Sequence, residues 1–384
     1  MPLIVHIITK LELGGAQQNT LFTMENLPGN LPGILLTGRG GMLDEEAASS
    51  EKYLTRFVPF LRRELCPFLD FAALVWMFFY LLPLRADIVH THSSKAGILG
   101  RWAAYFARVP IVIHTFHGFG FTPLQHPLVR KTFVAAERLT AHISDILITV
   151  AKANRKKALA ENIGPKKRYY LVHSGINPDK FRGRKSEVRE SLRESLGLDK
   201  DALLVGNVSC FKPQKGLEIF IQAASELARM GNYYFVVFGD GVLRKELESE
   251  VLKQGLEKRL FLPGWREDPE NLIPGFDIML HTAHFEGLAR VFLEAMASGV
   301  PVVATSADGA VDVIRDGYNG FLASQSDVDS LVKYSHNLLN DKKLRQLVAE
   351  GAAASFEAGF DIRNMSEKLN ALYAEELKKK GKNI

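Results

Sequence analysis

Cysteine is scarce in this chain of 384 residues, which contains only Cys66 and Cys210. Two cysteines are too few to build a disulfide framework, and nothing in the sequence places them together. We therefore expect a reducing compartment, which favours a cytoplasmic location. A signal peptide is not expected either, because Met1 leads directly into a strand-like apolar run at residues 3–9.

Several signature motifs are also missing. The first predicted strand is not followed by the Gly-x-Gly-x-x-Gly pattern, which counts against a dinucleotide-binding fold. Basic residues do not interleave with aromatic ones and no nucleic-acid-binding motif is recognised, so nucleic acid is not an expected partner. The sequence has no acidic metal-binding motif, and we expect no metal cofactor.

Charge is unevenly distributed along the chain, whose net charge is +5. Residues 1–180 contain 21 Lys and Arg against 13 Asp and Glu, whereas the remainder contains 27 against 30. A basic first half suggests contact with something anionic, such as an anionic lipid surface or a phosphate-bearing acceptor. A solvated basic surface without a partner is the alternative.

Short apolar strands alternate with helix-like stretches in both halves of the chain. This alternation is typical of parallel sheets, so we predict an α/β protein with two doubly wound, Rossmann-like domains facing across a cleft. The domains are predicted at residues 1–182 and 183–360, joined by a polar linker. Strands are predicted at residues 3–9, 33–37, 55–59, 87–90, 111–115, 146–150 and 169–173, and then at 203–209, 233–238, 277–281 and 302–305.

The segment at residues 68–84 is almost entirely apolar, although it contains Asp70. Three interpretations stay open: a transmembrane helix at the short limit of length, a buried core helix, and a helix with one face on a membrane surface. The neighbouring Arg62, Arg63 and Arg85 favour the last, because cations beside apolar residues suit an anionic interface.

Two features of the first half could carry chemistry. Gly14 and Gly15 lie between a predicted strand and helix, where backbone N–H groups could hold a phosphate, although a simple tight turn is the alternative. Four histidines cluster near the ends of two predicted strands, but no Cys, Asp or Glu accompanies them at ligand spacing, so core or cleft histidines are favoured over a metal site. These histidines are His90, His92, His114 and His117.

The second half contains the more specific pattern. Lys212 and Lys215 lie in a turn where they could pair with phosphate oxygens, although loop lysines are often only solvated. Further along, Glu286 follows a predicted strand, Gly287 opens a predicted helix, and Glu294 is expected about two turns into it. Carboxylates accept hydrogen bonds from sugar and ribose hydroxyls, so carboxylates beside a phosphate-binding helix start predict a nucleotide-sugar site.

The string at residues 286–304, EGLARVFLEAMASGVPVVA, closely resembles the signature of retaining glycosyltransferase family 4, the group 1 glycosyltransferases, which have the two-domain GT-B fold. The resemblance implies that the last helix, at residues 361–384, crosses back to the first domain. It covers nearly the whole chain in order, through GGAQ at 14–17, DIVHTH at 87–92, HG at 117–118, SGIN at 174–177, KG at 215–216 and GDG at 239–241.

The resemblance also implies a role for each matching residue. Gly15 would contact the donor pyrophosphate, and His117 would touch the donor sugar. Lys215 would neutralise pyrophosphate charge, with Lys212 as a candidate in support. Glu286 would bind sugar hydroxyls and Glu294 ribose hydroxyls. His117, Glu286 and Lys215 are the expected catalytic residues. The backbone would hold phosphate at Gly287, Leu288, Ala289, Arg290 and Val291.

Two positions depart from the family pattern. Many members have an Arg five residues before the Lys of the Lys-Gly pair, where this chain has Cys210, and Lys212 is the candidate replacement. Ala289 stands where relatives often have Pro or Gly. The second departure concerns the path of the loop rather than the site.

We therefore predict a retaining, hexosyltransferase-type glycosyltransferase that uses a nucleotide-sugar donor, with UDP favoured over GDP. The expected acceptor is a glycan or a lipid-linked sugar at the inner face of the cytoplasmic membrane, in cell-surface polysaccharide synthesis. No carboxylate nucleophile stands out in the first domain, so the resemblance implies a front-face mechanism. An epimerase or hydrolase of the same fold, and a non-catalytic nucleotide-sugar-binding protein, are the alternatives.

Overall fold

The computed structural model describes residues 1–357 and 359–382. The chain divides into two compact units, of which unit 1 is Met1–Gly175 with Ile362–Ile384 and unit 2 is Ile176–Asp361. The predicted division lies between residues 182 and 183, and the segment predicted to cross back to the first domain begins at residue 361.

Strands and helices alternate along both units. The strands are β1 Ile4–Lys10, β2 Gly33–Gly38, β3 Tyr53–Phe57, β4 Ile88–His92, β5 Ile111–Phe116, β6 Ile146–Thr149, β7 Tyr169–Leu171, β8 Leu203–Val208, β9 Tyr233–Phe238, β10 Leu260–Gly264, β11 Ile278–His281, β12 Val302–Thr305 and β13 Gly320–Ala323. The α-helices are α1 Gly15–Glu25, α2 Asp44–Ser49, α3 Pro67–Leu84, α4 Ser94–Phe106, α5 Pro127–Ala141, α6 Lys152–Ala160, α7 Lys185–Ser195, α8 Leu217–Met230, α9 Arg244–Lys253, α10 Arg290–Ala297, α11 Ala310–Val313, α12 Val328–Asn340, α13 Lys342–Glu357 and α14 Ile362–Lys379.

Unit 1 is built on a parallel sheet with the strand order β3-β2-β1-β4-β5-β6-β7. The central strands β1, β4 and β5 are buried along nearly their whole length, which is why they read as continuous apolar runs. The order reverses between β1 and β4, and the crevice outside the carboxyl ends of such strands is where open α/β sheets bind ligands.

Unit 2 repeats this arrangement with a parallel sheet in the order β10-β9-β8-β11-β12-β13. Its reversal lies between β8 and β11. The predicted α/β class with two doubly wound domains is therefore confirmed, and each predicted strand is present. The sequence analysis missed β10 and β13, which are the two edge strands of this sheet.

Helix α3 covers the apolar segment that was predicted from sequence. Only Ala73, Met77 and Leu81 are buried, at the four-residue spacing of a single helix face, so the interpretation as a plain core helix is wrong. Asp70 joins this helix to α4 through an ion pair with Lys95, at 2.5 Å. Within residues 1–357 and 359–382, α3 is the one helix long and apolar enough to cross a membrane, and a single helix of this kind is weak evidence for a span.

Three histidines and one tyrosine are buried where α14 packs against the sheet of unit 1. His6, His90 and His92 lie on β1 and β4, and Tyr373 comes from α14. Burial lowers the pKa of His6 to about 3, and it lowers the pKa values of His90 and His92 well below their usual range. These rings are therefore neutral at pH 7.

We expect acidification to destabilise the protein. A histidine whose pKa is lowered by folding binds fewer protons in the folded than in the unfolded state, so its contribution is intact above pH 6.5 and is lost as the pH falls below that value. Each such histidine should cost about 1.4 kcal/mol of unfolding free energy per pH unit. Urea unfolding at pH 7, 6 and 5 measures the slope.

The exposed His142 provides the control for this experiment. Replacing it in the variant His142→Gln should leave the pH slope unchanged, whereas His6→Gln should reduce it. A wild-type protein equally stable at pH 7 and pH 5 would contradict the burial of neutral histidines.

Candidate functional site

The loops that follow β8 and β11 meet at the reversal point of the unit 2 sheet. The β8 loop carries Lys215 and the β11 loop carries Glu286, and the two side chains form an ion pair although 71 residues separate them in the sequence. Both side chains are largely buried, with 16% of Lys215 and 9% of Glu286 exposed. The structure thus brings together two of the three predicted catalytic residues.

Backbone contacts hold the two loops side by side. The backbone N–H of His284 donates to the carbonyl of Gln214 at 2.9 Å, and the Gln214 side chain donates to the carbonyl of Phe285 at 3.0 Å. Gly216 adopts a φ of 56°, and a Cβ at this position would lie 2.2 Å from the carbonyl oxygen of Thr282. The glycine after Lys215 is therefore required both by its backbone conformation and by the closeness of the β11 loop.

The pair is ionised at neutral pH. Burial by itself would raise the pKa of Glu286, but the positive charge of Lys215 outweighs it and lowers that pKa to about 2. Burial likewise opposes the charge of Lys215, yet the Glu286 carboxylate raises the lysine pKa above its usual value. Each charge is stable in this site because the other one is there.

His281, the last residue of β11, was missed by the sequence analysis. Its Nε2 lies 3.6 Å from Oε1 of Glu286, too far for a direct hydrogen bond, and the ring is buried beneath the carboxylate. Burial lowers the pKa of His281, so its ring is a neutral polar group that lies against the carboxylate of Glu286. The sequence could have indicated this residue, because a histidine ends an otherwise apolar strand at the edge of the sheet where ligands bind.

Helix α10 begins beside the ion pair. It starts at Arg290, so Gly287, Leu288 and Ala289 form the approach to it, and the positive end of the helix dipole lies at this start. Glu294 lies about one turn into α10 rather than the predicted two, because the helix begins later than the sequence suggested. Its carboxylate is buried, 3.5 Å from the guanidinium of Arg290, and burial raises its pKa.

The structure describes both positions that depart from the family pattern, Cys210 with its candidate replacement Lys212, and Ala289. Cys210 is half-buried near Lys215. It contributes to the raised pKa of that lysine, after the larger effect of the Glu286 carboxylate. Lys212 is half-buried and makes no ion pair with any residue in the described part of the chain, so its charge stays available. Ala289 is buried and serves as the N-cap of α10 without a side-chain cap.

Unit 1 has its own candidate residues at the reversal between β1 and β4. Gly15 is the first residue of α1, directly after the loop that follows β1, and Gly14 caps the helix with an extended backbone. His117 follows β5, and its Nε2 lies 3.0 Å from Nδ1 of His92. A cavity of about 20 Å³ is lined by Asn19 of α1 together with His92 and His117.

The histidine cluster differs in membership from the predicted one. His114 instead bonds to the hydroxyl of Thr91 at 2.9 Å, and its place is taken by His6. His6, His90 and His92 each offer a ring nitrogen within 4.8 Å of the others, which makes them the set in the described residues that could hold a metal ion. All six of their ring nitrogens, however, already have hydrogen-bond partners in the protein.

Two family models match the chain, one in each unit. The model described as "Glycosyl transferases group 1" matches residues 188–354, and the one described as "Glycosyl transferase 4-like domain" matches residues 35–175. The first match covers the reversal point of unit 2 and the loops after β8 and β11, whereas the second includes β4, β5 and His117 but begins after β1 and Gly15.

Individual proteins are similar over nearly the whole chain. The "UDP-Gal:alpha-D-GlcNAc-diphosphoundecaprenol alpha-1,3-galactosyltransferase" of Escherichia coli is 29% identical and covers 96% of this chain and 96% of its own. The "Capsular polysaccharide biosynthesis glycosyltransferase CapM" of Staphylococcus aureus is 23% identical and covers 87% and 88%.

Solved structures share the fold. Anabaena HepE, crystallised with UDP and glucose and also with UDP-glucose, superposes with a TM-score of 0.84 and 20% identity in both cases. These structures cover 96% and 98% of this chain, and 98% and 100% of their own. The two parallel sheets, the loops that carry the Lys215–Glu286 pair and the matches to known proteins agree: the chain belongs to the group 1 glycosyltransferases, family 4, and has the GT-B fold.

Proposed function

We propose that this protein transfers a hexose from a UDP-sugar to a lipid-linked sugar, with retention of the anomeric configuration, during cell-surface polysaccharide synthesis. The observation that carries the proposal is the buried Lys215–Glu286 pair beside the start of α10. A cation and a helix start suit a diphosphate, and a carboxylate beside them suits sugar hydroxyls.

The leaving group in such a transfer is a nucleoside diphosphate, whose negative charge grows as the bond to the sugar breaks. Lys215, Lys212 and the positive end of the α10 dipole supply fixed positive charge for it, and we propose that they do so without a divalent ion. Charge that is preorganised in a largely buried site stabilises a developing anion more than the same charge in water.

The sugar and the ribose would be bound by the two glutamates. Glu286 is ionised and can accept hydrogen bonds from sugar hydroxyls, while its own position is fixed by Lys215. Glu294, one turn into α10, is proposed to accept hydrogen bonds from ribose hydroxyls. His117 and Gly15 of unit 1 are proposed to touch the donor sugar and its pyrophosphate.

The names of the similar proteins support the finer points. The E. coli relative uses UDP-Gal and an acceptor on diphosphoundecaprenol, and it forms an α-1,3 linkage. Because the sugar of UDP-galactose is itself α-linked to phosphate, an α product from that donor means retention. HepE was crystallised with UDP-glucose. We extend the UDP donor, the lipid-linked acceptor and retention to this chain as proposals.

The test is a transfer assay with a panel of UDP- and GDP-hexoses and a short-chain GlcNAc-diphospholipid, in excess chelator. We expect turnover with a UDP-hexose, and an α-linkage in the product by NMR coupling constants. A β-linked product would contradict retention, and turnover with GDP-hexoses alone would contradict the UDP assignment.

Two further outcomes separate the alternatives. Donor consumption at the same rate with and without acceptor would favour the hydrolase or epimerase interpretation. Loss of activity in chelator that added Mg²⁺ or Mn²⁺ restores would contradict the metal-free proposal.

Removing either charge of the ion pair should reduce turnover strongly. We expect Lys215→Ala and Glu286→Gln each to lower kcat by about 100-fold or more, because each removes charge directed at the reacting group and leaves its partner buried alone. Steady-state kinetics measure the loss, and melting temperatures show whether the variants fold.

The matched control is Arg189→Met in the same unit. Arg189 pairs with Asp277 next to the other end of β11, and Asp277 also pairs with Arg193 at 2.7 Å, so the substitution leaves it one cation. This variant should lose stability with kcat unchanged. Full activity in Lys215→Ala would remove that residue from the proposed site.

We also propose that α3 rests on an anionic membrane surface, where a lipid-linked acceptor would be found. The face opposite its buried stripe exposes Phe68, Phe71, Phe79 and Leu82, by 88%, 67%, 63% and 48%. The exposed Arg62, Arg63 and Arg85 flank this apolar face and complement anionic lipid headgroups.

Liposome flotation tests the membrane proposal. Wild-type protein should float with vesicles of phosphatidylglycerol and phosphatidylethanolamine, and the double variant Phe71→Glu/Phe79→Glu should stay at the bottom of the gradient. The double variant Leu252→Glu/Leu347→Glu changes two equally exposed apolar residues of unit 2 and should float like wild type. Failure of the wild type to float would contradict the proposal.

A further inference from the structure

Six side chains of unit 1 form one continuous hydrogen-bonded chain. In order along the chain of contacts they are Thr115, His90, Tyr373, His6, His92 and His117. The successive donor–acceptor distances are 2.7, 2.6, 3.2, 2.9 and 3.0 Å. The chain connects a residue of α14 with the histidine that the family pattern places at the donor sugar.

All four rings in the chain are neutral at pH 7. Burial lowers the pKa of His117 to about 4 and that of His6 to about 3, and it lowers those of His90 and His92 well below their usual range. Burial raises the pKa of Tyr373, so its hydroxyl keeps its proton. A neutral imidazole has one N–H donor and one nitrogen acceptor, and a hydroxyl here donates to one side and accepts from the other.

These numbers of donors and acceptors leave only two arrangements for the whole hydrogen-bonded chain. When one ring donates through its Nδ1, its Nε2 must accept, and the next group is then forced to donate in the same direction. Either all four histidines carry the proton on Nδ1, with every bond pointing from Thr115 towards His117, or all four carry it on Nε2, with every bond reversed. The tautomer of His117 is therefore tied to Thr115, which is five contacts away.

The two ends of the chain decide between these arrangements. Thr115 is 5% exposed on β5, and its hydroxyl has no other hydrogen-bond partner among residues 1–357 and 359–382. Bonds pointing towards Thr115 would leave that hydroxyl hydrogen without an acceptor, at a cost of about 1–3 kcal/mol. The side chain of His117 lies beyond a strand end and is half-buried, but its Nδ1 is a buried atom with no hydrogen-bond partner in the described structure. A ligand that reaches Nδ1 can satisfy this end of the chain in either arrangement, whereas only bonds pointing away from Thr115 satisfy the Thr115 hydroxyl hydrogen.

We propose that the chain fixes His117 as the Nδ1–H tautomer and so presents an N–H donor to an oxygen atom of the bound sugar nucleotide. His6, His92 and Tyr373 are positioning residues for His117. The part of this inference that concerns what His117 contacts rests on the proposed function, whereas the shared tautomer is a property of the protein without substrate.

The arrangement leaves one unmatched donor, the N–H at the buried Nδ1 of His117, and a ligand oxygen that reaches this atom would satisfy it. The Nε2–H form predominates in free histidine, so an exposed, unrestrained His117 would more often offer an acceptor in place of this donor. A ring that is already held as the Nδ1–H tautomer needs no rearrangement of protons when the ligand arrives. This is the benefit of preorganisation in a binding site.

Long-range ¹H–¹⁵N NMR of ¹⁵N-histidine-labelled protein tests the tautomers directly, without substrate. Two-bond couplings distinguish Nδ1–H from Nε2–H rings, and single His→Asn variants assign the signals. We expect His6, His90, His92 and His117 all as Nδ1–H. Four Nε2–H rings would overturn the proposed direction, and a mixture would overturn the chain itself. Stoichiometric zinc in the purified protein would overturn it as well.

Breaking the chain at a distance tests its effect on His117. Tyr373→Phe removes the link between His90 and His6 and leaves the aromatic ring in place. We expect Nε2–H signal to appear at His117 and kcat to fall by about tenfold, with a smaller change in the KM for the donor. An unchanged His117 tautomer in a folded variant would overturn the coupling.

The matched control is Tyr169→Phe. Tyr169 is another buried tyrosine of unit 1, and its hydroxyl donates to the carbonyl of Ile163 at 2.5 Å, outside the chain. This variant should lose stability to a similar extent while the four tautomers and kcat stay as in wild type. An equal loss of kcat in both variants would mean that Tyr373 acts only through stability, and would overturn its positioning role.

The inference and the proposed function can fail separately. If the four rings are Nδ1–H but His117→Ala keeps full transferase activity, the hydrogen-bonded chain is confirmed and the proposed contact between His117 and the donor is contradicted. If His117→Ala is inactive but Tyr373→Phe is fully active with an unchanged His117 tautomer, the proposed function stands and the coupling through Tyr373 falls.

Discussion

Parallel pairing makes all strands of a sheet end at the same edge, and the positions of the candidate residues in both units depend on this constraint. Where the strand order reverses, the loops leaving two neighbouring strands diverge, and side chains on them can face a common crevice. In unit 2 this brings Lys215 and Glu286 together from loops that are far apart in sequence. The close approach of Gly216 to the carbonyl of Thr282 shows how tightly the two loops are pressed against each other.

Much of the fold could be predicted because buried parallel strands can be recognised in the sequence as short, nearly continuous apolar runs. Their two covered faces favour apolar residues, as at most positions of β1 and β11. The strands that were missed lie at sheet edges, where this selection weakens. Strand β10 contains Pro263, which a central strand would not tolerate, and β13 is a four-residue strand that begins with Gly320.

The candidate site was only partly predictable, for a different reason. A motif names residue types near each other in sequence, so Glu286, Gly287 and Glu294 could be found. It does not report which distant groups surround them. The neutral His281 beneath Glu286 and the link from Tyr373 to His6 arise from packing, the latter across 367 positions of sequence. Similarly, α3 is apolar on all sides, so its sequence could not show which face is covered and which is exposed.

The energetics of the Lys215–Glu286 pair bear on how the proposed site would discriminate its ligand. Two opposite charges held together are neutral as a unit, and this limits the cost of burying them while the site is empty. A diphosphate entering beside α10 would compete with Glu286 for the ammonium group of Lys215. Any loosening of that ion pair frees carboxylate lone pairs, which sugar hydroxyls can then occupy.

A diphosphate without a sugar would therefore weaken the ion pair and leave the buried carboxylate of Glu286 incompletely satisfied. A sugar without a diphosphate would have to compete with Lys215 for the same oxygens. Only a ligand that carries both groups satisfies all the charges at once, since the penalty for a buried, unpaired carboxylate is large. On the proposed function, the pair thus makes binding of the phosphate and binding of the sugar depend on each other, and so favours the intact donor over either of its parts.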